Sequence, residues 1–132
     1  MKPRILLIED DSALQGLLCQ VLLRTGYQVE TSREGHQAIH HIVESRHDFI
    51  LLDWDLPGLS GIEITRFVRS NPATYHTPVM MMTAFNDDSH RDNAFKAGVT
   101  DYITKPFDMH ELLERVGSAF QREARETVSI QG

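Results

Sequence analysis

The chain has 132 residues, of which 41% are hydrophobic and 24% are charged. This length and composition favour one globular domain. Thirteen basic and nineteen acidic residues give a net charge of -6, which argues against the basic surface that non-specific nucleic-acid binding or an anionic membrane requires. The single cysteine, Cys19, excludes an internal disulfide and a multi-cysteine zinc site and fits a reducing cytoplasm. The apolar run 5–8 is too short for a signal peptide or a membrane span.

Short apolar runs alternate with helical patterns along the chain. The first run, residues 5–8, predicts a strand covered on both faces. A helix follows, for which Ser12 is the predicted N-cap and Gln15 the second member of a capping box. Gly26 is the predicted end of this helix. Residues 28–32 alternate weakly and predict a second strand, after which a second helix follows.

The second half of the chain continues the alternation. Residues 49–52 and 79–82 predict the third and fourth strands, and Ser60 is the predicted cap of the helix between them. The polar stretch 86–93 leads into a weak helix, and residues 101–104 predict a short fifth strand before the last helix. Five strands alternating with five helices indicate an α/β fold, with a parallel sheet between helices.

Reactive side chains follow the predicted strands at their carboxyl ends. Glu9 and Asp10 follow the first strand, Asp53 the third, Thr83 the fourth and Lys105 the fifth. Because the carboxyl ends of parallel strands share one edge of the sheet, we expect these residues to meet there. A strand leaving the core explains any one of them, whereas five together favour a functional site.

The residue types indicate the chemistry of that site. Carboxylates from Glu9, Asp10 and Asp53 would repel one another unless a cation or protons neutralised them. Carboxylate oxygens suit Mg²⁺, while Lys105 adds a fixed positive charge and Thr83 a hydrogen-bond donor. This combination fits phosphoryl transfer, in which a carboxylate can act as the nucleophile and form an aspartyl phosphate.

Four segments of the chain form a recognisable set: ILLIEDD at 5–11, LLDWDLPG at 51–58, MTA at 82–84 and YITKPF at 102–107. Together they resemble the receiver domain of bacterial two-component response regulators. The resemblance covers about residues 3–122 and implies a flavodoxin-like sheet of order 2-1-3-4-5. We therefore predict a receiver domain over residues 1–122 and a C-terminal tail, or the start of a linker, over 123–132.

The resemblance also implies a role for each acidic residue. Asp53 would attack the phosphohistidine of a sensor histidine kinase and become phosphorylated. Asp10, Asp53 and the backbone carbonyl of Asp55 would ligate Mg²⁺, and Glu9 would act mainly through metal-bound water. An aspartate at position 55 is unusual, and its side chain is either a solvated loop acid or an influence on the lifetime of the phosphoryl group.

The resemblance also implies residues that would couple phosphorylation to a conformational change. Thr83 and Lys105 would contact phosphoryl oxygens, and the bond between Lys105 and Pro106 is expected to be cis. Tyr102 would move inward when Thr83 shifts toward phosphate, altering an output face built from helix 4, strand 5 and helix 5.

The implied partners are a sensor histidine kinase or phosphotransfer protein and a downstream effector protein or domain, with a homodimer through the output face as a further option. The chain itself is expected to be cytoplasmic, to bind neither nucleic acid nor membrane, and to act as a switch rather than a turnover enzyme.

Three alternatives remain open. Asp53-Trp54-Asp55 resembles the Asp-x-Asp start of haloacid-dehalogenase-type phosphatases, although that signature belongs on a first strand and Pro57 does not match it. A flavin-binding protein would need a phosphate loop after the first strand, where Glu9 and its acidic neighbours would repel phosphate. A degenerate, unphosphorylated interaction domain is the third, and the full set of site residues argues against it.

Several other side chains have simpler interpretations. His36 and His40 have metal-ligand spacing, but a solvated helix face is the favoured interpretation. We expect Cys19 at the boundary of the core, residues 80–82 inside a core strand, and Trp54 partly exposed beside the site.

Overall fold

The computed structural model describes residues 2–131, with side chains described as far as residue 121. Five parallel strands form one sheet in the order β2-β1-β3-β4-β5, which confirms the predicted flavodoxin-like fold. Within the described part of the chain, no helix combines the length and apolar character that crossing a membrane requires. The strands are β1 (Arg4–Ile8), β2 (Gln28–Ser32), β3 (Phe49–Asp53), β4 (Val79–Thr83) and β5 (Asp101–Thr104), and the helices are α1 (Ser12–Thr25), α2 (Gly35–Glu44), α3 (Gly61–Ser70), α4 (Asp88–Ala97) and α5 (Met109–Gln131).

The central strands are apolar because both faces of the sheet are covered. All five residues of β3 and of β4 are buried. Successive side chains point to opposite faces, so Met81 packs in one hydrophobic cluster and Met80 and Met82 in the other. The prediction that these methionines form strand core is confirmed. With apolar contacts on both faces, the sheet holds the carboxyl ends of its strands in fixed register.

Two helix starts differ from prediction. The N-cap of α1 is Asp11, whose Oδ1 accepts hydrogen bonds from the backbone N–H groups of Ala13 (3.0 Å) and Leu14 (3.2 Å). The predicted cap, Ser12, is the first helical residue, and the predicted capping box does not form because Gln15 bonds elsewhere. Aspartate and serine are comparable caps, so two adjacent candidates could not be separated by residue type.

Helix α4 begins earlier than expected. Its first residue is Asp88, inside the polar stretch that was predicted to precede it. Asp87 is the N-cap, and Gly98 ends the helix in a left-handed conformation with φ of 114°. Only Ala94 and Ala97 of this helix are buried, so its ends are marked more clearly than its apolar face. The predicted caps Ser60 of α3 and Gly26 of α1 are confirmed.

The C-terminal tail was predicted over residues 123–132, and the side chains of these residues lie outside the part of the chain that the structure describes. The backbone there belongs to α5 as far as Gln131. The boundary at residue 122 stays a prediction.

A buried histidine lies at the opposite end of the sheet from the predicted site. His47 is 7% exposed, and its Nε2 lies 2.7 Å from Oε1 of Glu30. Burial lowers the pKa of His47, although the hydrogen bond to Glu30 acts in the opposite direction. Arg4 and His41 also lie near enough to disfavour its charged form. Folding therefore favours neutral imidazole at this position.

Candidate functional site

Three carboxylates converge at the carboxyl edge of the sheet. Ile8 of β1 is paired with Leu52 of β3, so the next residues, Glu9 and Asp53, emerge side by side. Glu9 is fully buried, Asp53 is 7% exposed, and Asp10 is exposed. One oxygen from each of the three lies within 4.8 Å of the others. Among the described residues, this is the one group of three side chains arranged to hold a metal ion.

Lys105 crosses from the loop after β5 to two of these carboxylates. Its Nζ donates to Oε1 of Glu9 at 2.7 Å and to Oδ2 of Asp53 at 3.1 Å. The peptide bond between Lys105 and Pro106 is cis. The cluster therefore brings together residues 96 positions apart in sequence, and a single ammonium group faces three carboxylates.

Burial and pairing act in opposite directions on the charges of the cluster. Burial raises the pKa of Glu9, and the hydrogen bond from Lys105 offsets part of that rise. Burial alone would lower the pKa of Lys105, but its hydrogen bonds to Glu9 and Asp53 outweigh burial and leave that pKa above its usual value. Lys105 is therefore a permanently charged group at neutral pH.

Thr83 and Tyr102 meet at the loop between β4 and α4. Thr83 is 1% exposed, and its Oγ1 accepts a hydrogen bond from the backbone N–H of Phe85 at 3.1 Å. Among the described residues, the Thr83 hydroxyl makes no hydrogen bond to Glu9, Asp10, Asp53 or Lys105. Tyr102 is 2% exposed, and its hydroxyl donates to the carbonyl of the same Phe85 at 2.5 Å. Both side chains thus hold one residue, and the Tyr102 side chain is buried.

The loop after β3 surrounds Asp53. The backbone N–H of Asp55 donates to Oδ1 of Asp53 at 3.3 Å, while the Asp55 residue is exposed. Trp54 is partly buried, as predicted, and its ring lies 5.4 Å from that of Phe85. A Cβ on Gly61 would lie 2.4 Å from the carbonyl oxygen of Asp53. This close approach requires glycine, and nothing in the sequence pattern indicated it.

Two polar side chains at the site were missed by sequence reasoning. The Gln15 Nε2 donates to the carbonyls of Glu9 (3.0 Å) and Ser32 (3.1 Å), and the Arg33 Nη2 donates to the carbonyl of Asp10 at 3.3 Å. Both contacts join segments distant in sequence, and neither residue type predicts such a contact by itself.

The competing interpretations receive no support from the geometry. The Asp-x-Asp pattern lies on the third strand, not on a first strand where a haloacid-dehalogenase-type phosphatase carries it. The loop after β1 presents carboxylates where a flavin phosphate would bind. His36 and His40 are exposed, and the Nδ1 of His36 lies 3.3 Å from Glu34, as expected for a solvated face. Cys19 is partly buried.

Comparison with curated proteins identifies the family. The sequence model of the response regulator receiver domain matches residues 5–117. The chain is 39% identical to the phosphate regulon transcriptional regulatory protein PhoB of Rhizobium meliloti, covering 98% of this chain and 57% of that protein. It is 36% identical to the transcriptional regulatory protein ResD of Bacillus subtilis, covering 92% of this chain and 50% of that protein. The chain thus spans about half the length of these relatives.

Solved structures give the same result. The receiver domain of a sensor histidine kinase from Pseudomonas aeruginosa, with magnesium coordinated in its active-site cleft, matches with a TM-score of 0.79 and 34% identity, over 86% of this chain and 93% of that one. The chemotaxis response regulator CheY4 of Vibrio cholerae matches with a TM-score of 0.85 and 25% identity, over 89% and 98%. Sequence, fold and strand order agree, and the chain belongs to the response regulator receiver domain family, a signalling module of two-component systems.

Proposed function

We propose that Asp53 accepts a phosphoryl group from a sensor histidine kinase or a phosphotransfer protein. The observation that carries this proposal is the convergence of Glu9, Asp10 and Asp53 within 4.8 Å, with Lys105 bonded to two of them. Asp53 accepts a hydrogen bond from Lys105 and is 7% exposed, so its carboxylate is held by a neighbour yet keeps access to a donor.

The donor set fits Mg²⁺. Three carboxylate oxygens within 4.8 Å supply the hard ligands that this ion prefers, and Mg²⁺ is commonly held by one or two carboxylates with phosphate oxygens and water. Asp10, Asp53 and the backbone carbonyl of Asp55 would hold it, and Glu9 would contribute through water. When bound, Mg²⁺ supplies positive charge to the oxygens of the transferring phosphoryl group.

The chain's own side chains perform the transfer by position and charge. An oxygen of Asp53 attacks the phosphorus of phosphohistidine, the P–O bond forms as the P–N bond breaks, and the imidazole leaves with its electron pair and takes up a proton. Lys105, now bonded to the Asp53 carboxylate, would pair with a phosphoryl oxygen, and Thr83 would donate to another. Hydrolysis of the acyl phosphate by water restores Asp53 and releases phosphate.

The switch would run through Phe85. A phosphoryl group adds about -1.5 to -2 charges, which draws the hydroxyl of Thr83 away from the backbone of Phe85. The carbonyl of Phe85 is bonded to Tyr102, so the movement reaches β5. The output face formed by α4, β5 and α5 would then change its surface, which turns a local charge into a signal.

The same proposal covers partners and location. The module would act as a switch without multiple turnover, binding a downstream effector protein or domain or a second copy of itself through the output face. Family membership supports the cytoplasm as its location, and the net charge of -6 favours protein contacts over direct contact with nucleic acid.

Acetyl phosphate with Mg²⁺ tests the assignment of Asp53. We expect one phosphoryl group per chain, detected by intact mass, and no labelling of Asp53→Asn. Asp92→Asn is the matched control, since it makes the same change at an exposed carboxylate outside the cluster and should still be labelled. Labelling of Asp53→Asn at the wild-type level would contradict the proposal. Phosphate release that continues at the wild-type rate in Asp53→Asn would instead indicate a hydrolase that does not use Asp53.

The side chain of Asp55 is proposed to set the lifetime of the phosphoryl group. It is exposed next to a residue whose phosphorylated form is anionic, so it can repel the phosphoryl group or orient water. Asp55→Asn should change the dephosphorylation rate measured by the decay of labelled protein. An unchanged rate would show that this carboxylate is only a solvated loop acid.

A further inference from the structure

Gln15 links the carboxyl ends of β1 and β2 next to the acidic residues Glu9 and Asp10. Its side-chain amide donates to the carbonyl of Glu9 at 3.0 Å, just past β1, and to the carbonyl of Ser32 at 3.1 Å, at the end of β2. The backbone N–H of Glu9 also donates to the Ser32 carbonyl at 3.0 Å. One amide therefore joins the carboxyl ends of two neighbouring strands.

The two residues that Gln15 contacts are buried. Glu9 and Ser32 are both 0% exposed, so water does not readily replace a donor lost at their carbonyls. The next carbonyl along, that of Asp10, accepts from Arg33 at 3.3 Å. Consecutive carbonyls of the acidic loop are thus held by side chains from outside the loop.

The acidic loop needs such support because its side chains repel one another. Carboxylates of Glu9 and Asp10 lie within 4.8 Å of that of Asp53, and rotation of the loop backbone would separate them. A donor fixed to the carbonyl of Glu9 resists that rotation. Groups that orient metal ligands in this way affect metal affinity without touching the ion.

We propose that Gln15 is a positioning residue that fixes the backbone of Glu9 and Asp10 and thereby sets the affinity of the acidic cluster for Mg²⁺. The inference rests on the proposed Mg²⁺ site. It assigns to Gln15 a role unrelated to the helix cap that its sequence position suggests, and the contact depends on the amide N–H groups and on the length of the side chain.

Calorimetric titration of the whole chain with MgCl₂ tests the inference. Gln15→Met keeps the length of the side chain and removes both donors, and we expect the dissociation constant for Mg²⁺ to rise by about 10- to 100-fold. Gln20→Met makes the same change at an exposed position of the same helix and should leave the dissociation constant within twofold of wild type. Gln15→Asn keeps the amide but withdraws it by one methylene, and it should also bind Mg²⁺ weakly.

Urea unfolding without Mg²⁺ separates positioning from general stability. Titrations are made where each variant is more than 95% folded, so a merely structural role would lower the unfolding midpoint and leave Mg²⁺ affinity unchanged. That result, in either Gln15 variant that folds, would overturn the inference, as would an equal loss in Gln20→Met. If wild-type protein itself binds no Mg²⁺, the proposed function fails first, which is a distinguishable outcome.

Discussion

Without Mg²⁺, the Asp10→Asn variant should be more stable to unfolding than the wild-type protein. With Mg²⁺ present, the wild-type protein should be the more stable of the two. Asp10 lies within 4.8 Å of carboxylate oxygens on Glu9 and Asp53. At 4.8 Å and an effective dielectric constant of about 20, each repulsion amounts to about 3.5 kcal/mol. Because Asp10 is exposed and Lys105 is bonded to both Glu9 and Asp53, screening by solvent and by this ammonium leaves about 1–2 kcal/mol for the two repulsions together.

Mg²⁺ should act in the opposite direction. At a concentration one hundred times its dissociation constant, a bound ion stabilises the folded protein by about 2.7 kcal/mol. The Asp10→Asn variant lacks one metal ligand, so the same concentration of Mg²⁺ should add little to its stability. Wild type should therefore become the more stable protein by about 1 kcal/mol, the difference between these two effects.

Urea unfolding followed by the fluorescence of Trp54, the single tryptophan, provides the assay. It is run at pH 7 in low salt with EDTA and again with MgCl₂. Asp92→Asn is the matched control, because it removes one exposed carboxylate away from the cluster. If Asp10→Asn is destabilised in EDTA, or gains no more than Asp92→Asn, the repulsion argument is refuted. Added salt should shrink the gain, since it screens exposed charges.

Two further predictions concern stability away from phosphorylation. The pKa of His47 is lowered by burial, so neutral His47 contributes its full stabilisation above about pH 6.5, and this contribution is lost as pH falls below that value. In urea unfolding, His47→Gln should therefore reduce the fall in the free energy of unfolding at acidic pH. The control variant His40→Gln should leave that fall unchanged. Gly61→Ala would place a Cβ 2.4 Å from the carbonyl oxygen of Asp53 and should cost about 1–3 kcal/mol. Gly16→Ala, whose Cβ would meet no atom within 4 Å beyond the adjacent residues and the backbone of its own helix, should gain about 0.5–1 kcal/mol. Equal thermal shifts in the two alanine variants would contradict the steric argument.

The main features of the fold could be predicted because they depend on patterns repeated along the chain. Buried parallel strands produce unbroken apolar runs, and each run ends where a polar side chain leaves the core. That rule placed Glu9, Asp53 and Thr83 at one edge, and the structure has them there. The strand order came from family resemblance, since apolar periodicity alone does not determine which strands are neighbours.

Details that depend on single contacts could not be predicted. The cap of α1 lies one residue earlier than expected because Asp11 and Ser12 are adjacent and equally suitable. Gln15 fitted a local capping box, yet its partners include Ser32, seventeen positions away. The start of α4 was misplaced because its two buried residues are alanines, which give little apolar contrast.

The backbone of Phe85 is held by two side-chain hydrogen bonds: its N–H donates to Thr83, and its carbonyl accepts from Tyr102. Because both bonds end on the same residue, a shift of Thr83 or of Tyr102 would move the Phe85 backbone and strain its bond to the other side chain. Intermediate positions of the loop would forfeit one bond before gaining another. If the proposed switch operates, we therefore expect the loop to change between two arrangements in one step, because partial movement would leave a backbone group of Phe85 without its partner.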